Sequence, residues 1–83
     1  MKYNEFWYNI TDTLIKTTND EDILGKITLE EIDETAMGLY NSLVRRGMHP
    51  SQIRKYAIDY GRNIGREILA VQKIRGEEVY KVA

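Results

Sequence analysis

A chain of 83 residues holds one domain and not two, and a core of that size is thin enough that self-association is expected. Its apolar share of 42% and charged share of 30% exclude a disordered chain; without cysteine, a leading apolar run or any stretch of ~20 apolar residues, it reads as a cytoplasmic protein rather than a disulfide-stapled secreted or membrane-spanning one. The net charge of −1 conceals two halves: residues 1–44 carry three Lys against nine acids, and residues 45–83 carry nine Lys or Arg against four. Either the halves face each other, or the basic half meets nucleic acid or an acidic protein.

The spacing predicts an all-α fold: a single domain over residues 1–83, with helices 1 and 2 packed on a longer helix 3. Helix 1 spans about residues 3–17. Tyr3, Phe6, Trp7, Ile10 and Leu14 recur three and four apart and form one apolar face. Tyr8 and Ile15 fall on another. The run Thr17-Thr18-Asn19-Asp20 then breaks the pattern, because such side chains compete for backbone hydrogen bonds.

An acidic turn follows over residues 18–27. Asp20 to Glu31 resembles a calcium-binding EF-hand loop, with Asp20 and Asp22 at the first and third positions. Gly25 falls at the sixth and Glu31 at the twelfth. Leu24 stands at the fifth, where an oxygen ligand belongs, and the chain offers only one such loop where pairs are the rule. Asp20, Asp22 and Glu31 are therefore the metal candidates of a chain for which no metal or other cofactor is expected.

Helix 2 is predicted over about residues 28–46. Thr28 and Glu31 have the spacing of a capping box, with Ile27 and Ile32 at the two positions that staple it. Leu29, Ile32, Ala36, Leu39, Tyr40 and Leu43 form its buried stripe, and Glu30, Glu31 and Glu34 lie opposite. Arg45 and Arg46 suit the last turn, and Gly47 suits a left-handed cap.

Helix 3 is predicted from Pro50, behind a His49 cap and a Met48–Ile53 staple, to Arg75. Gly76 is expected to end it, leaving a short tail over residues 76–83. Its main apolar stripe is Ile53, Ala57, Tyr60, Ile64, Ile68 and Val71, a spacing that drifts toward an 11-residue period. A second stripe adds Ile58, Gly61, Gly65 and Leu69. Each glycine costs a helix about 1 kcal/mol against alanine. Close approach of another backbone, from this chain or from a second one, would offset that. Lys55, Arg62, Arg66 and Lys73 form a cationic row within ~40° of one another, beside the second stripe.

Residues 46–57 also look like the start of a helix-turn-helix, with Gly61 where the turn glycine would fall. Glu67 sits where the next apolar residue belongs, so a continuous helix is the expectation. Catalysis is not expected. The single histidine, His49, and its neighbour Ser51 both lie at a helix start, where capping explains them.

These features point to a non-catalytic, self-associating protein-binding module. Its partner-binding residues would be Lys55, Ile58, Gly61, Arg62, Gly65, Arg66, Leu69 and Lys73. The alternative is a nucleic-acid-binding regulator, with Arg45, Arg46 and Arg54 joining Lys55, Arg62, Arg66 and Lys73 in phosphate contacts.

Overall fold

The computed structural model describes residues 1–82, with side chains described through Lys73. Within them the chain is helical. Helix α1 spans Tyr3–Thr18, a single 3-10 turn spans Ile23–Gly25, and the longer helices are α2 (Leu29–Arg45) and α3 (Pro50–Val82). No strand occurs among the described residues.

The helix ends follow from local chemistry. Asn19 ends α1 in the left-handed region at φ 52°, and its N–H donates to the Ile15 carbonyl. Thr18, the last helical residue, is buried, and its hydroxyl is satisfied by the Leu14 carbonyl at 2.8 Å. Gly47 ends α2 at φ 70°. Its N–H reaches the Val44 carbonyl at 3.0 Å, and the Met48 N–H reaches the Leu43 carbonyl at 3.3 Å. That paired closure is the Schellman motif.

Two sequence expectations about helix ends need correction. Thr28 is the N-cap of α2, but its side chain makes no capping bond, so the Thr28–Glu31 box is not formed. A reciprocal box closes α3 instead. The Ser51 N–H donates to His49 Nδ1 at 3.2 Å, and the His49 N–H donates back to Gln52 Oε1 at 3.4 Å. Second, α3 does not stop at Arg75. It runs through Gly76 to Val82, 33 residues in all. One glycine costs about 1 kcal/mol but does not break a helix when good formers such as Glu77 and Glu78 follow. The tail predicted over residues 76–83 is thus helical as far as Val82, and Ala83 lies outside the described residues. Nor does α3 break at Gly61, so the helix-turn-helix is absent.

The packing is stepped along α3. Ile10 and Thr13 lie at the level of Gly61, and Leu14 and Thr17 at the level of Gly65, so α1 and α3 run parallel. α2 runs antiparallel to α1. Its Tyr40 hydroxyl bonds the Met1 carbonyl, and its Asp33 takes the Tyr3 hydroxyl. At the end where all three helices meet, Phe6, Ile10, Ala36, Leu43, Ile53 and Ala57 form the buried core. Tyr3, Phe6 and Tyr40 close it with ring centroids 5.3 to 6.3 Å apart. Further along, Leu14 and Ile23 are buried with no α2 beside them in that core. The stripe predicted for α2 is the one that packs, with Ala36 and Leu43 buried and Leu29, Ile32, Leu39 and Tyr40 half-buried.

Candidate functional site

Gly61 and Gly65 face α1. A methyl group built on Gly61 would lie 2.5 Å from the Ile10 carbonyl oxygen, and one on Gly65 would lie 2.7 Å from the Thr17 methyl. Both glycines are buried. The close approach they permit is made inside this chain, which removes them from the partner surface assigned from the sequence. Their complement, Thr13 and Thr17, went unread. These two small residues, four apart on α1, match the four-residue spacing of the glycines.

The other assigned residues remain on the outside. Lys55, Arg62, Arg66 and Lys73 are exposed along α3. Leu69 is 38% exposed between them, and Ile58 is half-buried. Ile58 and Arg62 help line a shallow groove between α1 and α3, with Asp12, Thr13, Lys16 and Thr17 on its far side. Asp12 and Lys16 pair across one turn at 2.9 Å, a hydrogen bond that holds the ammonium pKa above its ordinary range. Arg62 lies 3.6 Å from Asp59, a loose surface pair. This groove therefore mixes one apolar side chain with charges of both signs.

Arg45, Arg46 and Arg54 are also exposed. The first two sit in the last turn of α2, where they line a notch with Gly38, Asn41 and Ser42. Arg54 follows on the first turns of α3, across the short α2–α3 connection. The cations thus extend from this corner along the outer face of α3. Every ion pair among the described residues joins near neighbours, Asp12 with Lys16, Asp20 with Lys26 and Asp59 with Arg62. The acidic and basic halves therefore do not close on each other through ion pairs there.

The acidic turn does not form the EF-hand arrangement. Lys26 reaches Asp20 Oδ2 at 2.8 Å, and the Asp22 N–H donates to Asp20 Oδ1 at 2.9 Å. Those two bonds, the lysine's first, hold the Asp20 carboxyl below its usual pKa, and the same pair raises that of Lys26. Both oxygens of the first candidate ligand are thus committed. The residues between wind into the 3-10 turn Ile23–Gly25, and Glu31 stands exposed on α2. Among the described residues no three carboxylate or imidazole groups converge on one point.

His49 Nδ1 and Ser51 Oγ are 2.9 Å apart, but the same nitrogen accepts the Ser51 N–H. The pair is the cap of α3. A second groove, not anticipated, lies between the 3-10 turn and α3. Ile23, Ile27, Ile68 and Val71 line it, with Lys26 and Glu67 at its rim. Its halves are some forty residues apart in the chain, so no local pattern announces it. No helix among the described residues is long and apolar enough to cross a membrane. Comparison of the chain with protein-family models, with curated proteins and with solved structures returns no match.

Proposed function

We propose that this chain is a non-catalytic protein-binding module that acts as an adaptor, regulator or inhibitor and self-associates. The partner surface is the outer face of α3, with Leu69 and Ile58 as apolar contacts and Lys55, Arg62, Arg66 and Lys73 around them. The observation that carries this reading is the exposed Leu69, set among cations on one continuous helix. A helix holds such a row in fixed register, so little ordering cost falls on binding. The cations would supply orientation and association rate, and the apolar centre would supply affinity. An acidic protein surface with an apolar cleft is the complement.

A second reading, a nucleic-acid-binding regulator, is favoured by the extension of the cations past α3. Arg45, Arg46 and Arg54 at the α2–α3 corner add three exposed charges to the row. Phosphate contacts would weaken by about one power of the salt concentration each.

One experiment separates the two. The tagged chain is used to capture ligands from an extract, with washes at low and high salt, alongside Leu69→Asp. A stoichiometric protein that survives high salt and is lost with Leu69→Asp supports the module reading. Nucleic acid that leaves at high salt and ignores Leu69→Asp selects the regulator.

A further inference from the structure

Helix α2 buries one side and leaves the other uncovered. The uncovered side begins with Glu30, Glu31 and Glu34 and ends with Val44 and Arg45, all exposed. Met37 and Val44 are 45% and 48% exposed there. Gly38, beside Met37, has nothing within 4 Å of the place a side chain would occupy. No contact inside the chain therefore accounts for a helix-weakening glycine at this position. Acids at the start of a helix and arginines at its end suit the helix dipole. That explains the order of the charges, but neither the two apolar side chains nor the glycine.

The same side carries the notch of Gly38, Asn41, Ser42 and Arg45, with Arg46 at its edge. Positions i, i+3, i+4 and i+7 of one helix make the four-residue hole into which a side chain of a facing helix inserts. Gly38 leaves this hole open on one wall. The Asn41 amide, the Ser42 hydroxyl and the Arg45 guanidinium furnish it with hydrogen-bond donors. The fitting occupant is a carboxylate carried on a helix, and α2 itself carries three. None of Glu30, Glu31, Glu34 and Arg45 belongs to an ion pair among the described residues.

We propose that a second copy of this chain covers this side of α2, in an antiparallel twofold pair that seats Glu34 of each copy in the notch of the other. The sequence sets the register. With the twofold axis between Met37 and Gly38, position 34 comes level with 41, 30 with 45, and 37 with 38. Glu34 then stands over the hole. Arg45 meets Glu30 and Glu31 of the other copy at each end of the seam, about 11 Å from its centre. The two Met37 side chains meet beside the axis. A parallel pair would crowd the acids of both copies at one end and both Arg45 side chains at the other. Charge therefore selects the antiparallel direction.

This pairing names the face of the self-association in the reading above and rests on that part of it. It shares no residue with the α3 surface assigned to the partner. With 17 residues, α2 is ~26 Å long, so the contact lies at the small end of specific interfaces and the pair is a weak one.

The test is sedimentation equilibrium of the full chain up to hundreds of micromolar, for wild type, for the double variant Glu30→Arg/Glu34→Arg and for Arg45→Glu. Wild type is expected to dimerise. Each reversal sets like charges against each other across the seam and is expected to weaken the dimer roughly tenfold or more. All three positions are exposed, so both variants are expected to keep the helicity of wild type by circular dichroism. Mixed in equal amounts, the two variants are expected to pair with each other, because the reversed charges then face one another at one end and the native ones at the other. A wild-type monomer at the highest concentration overturns this pairing and self-association together. A wild-type dimer that neither reversal weakens leaves self-association standing and overturns this face, as does a mixture of the variants that stays monomeric.

Discussion

Tyr3 ties α1 to α2 by one side chain. Its ring is half-buried beside Phe6 and Tyr40, and its hydroxyl bonds both the carboxylate and the carbonyl of Asp33. Burial disfavours the phenolate, and the Asp33 carboxylate both accepts the proton's hydrogen bond and repels the anion. The hydroxyl pKa is therefore raised well above the ordinary value near 10. Since the folded pKa exceeds the unfolded one, Tyr3 contributes fully below about pH 10, and its contribution fades as pH rises beyond that. Tyr3→Phe is expected to cost about 1 kcal/mol at pH 7, through the lost bond to Asp33. It is also expected to flatten the loss of stability between neutral pH and the alkaline range beyond pH 10. Urea unfolding of both proteins across that range checks this, and parallel pH profiles would contradict it. Nothing in the residue order announces the pair, because Tyr3 and Asp33 are thirty positions apart and belong to different helices.

Glycines show how an element's neighbours reverse the sign of one substitution. Gly38 lies in α2 with nothing within 4 Å of the place a methyl would occupy. Gly38→Ala is therefore expected to stabilise the fold by roughly 0.5–1 kcal/mol, the gain in helix propensity. Gly61→Ala makes the same gain but drives a methyl to 2.5 Å from a backbone carbonyl of α1. Overpacking of that kind costs about 1–3 kcal/mol, so the net change is destabilising. Thermal or denaturant unfolding of both variants gives the comparison, and a stabilised Gly61→Ala would refute the tight crossing. The same contrast marks what the sequence could reveal. Helix number, the packed stripes, the Gly47 end of α2 and the Pro50 start of α3 were legible, because each follows from residues within a turn or two of one another. The Thr28–Glu31 box failed because its spacing permits two bonds without requiring them, whereas His49 and Gln52 form theirs. The partner of Gly61 and Gly65 was not legible either. Their four-residue spacing states that something approaches closely, and only the position of Thr13 and Thr17 across from them says it is α1. In the acidic turn the spacing of Asp20, Asp22, Gly25 and Glu31 was real, but Lys26 sits where its ammonium neutralises Asp20.

At the scale of the whole molecule, stability and length are separated. The core lies between Met1 and the middle of α3, where three helices meet, then two, with the 3-10 turn closing the second step. Among the described residues that core reaches along α3 to Ala57, with Tyr60 packed against it, and the helix continues to Val82. A chain ending after Lys73 is therefore expected to unfold within about 0.5 kcal/mol of the full chain when both are dilute. Concentration then locates the self-association. If the proposed self-association used the end of α3, binding to the folded state would raise the melting temperature of the full chain with its concentration. The shortened chain has lost that end, so its melting temperature would stay constant. Melting followed by circular dichroism over a hundredfold range of concentration reads the difference. A shortened chain that fails to fold would place part of the core in the last turns of α3, and equal concentration dependence in the two chains, the outcome expected of pairing through α2, would place self-association on another face.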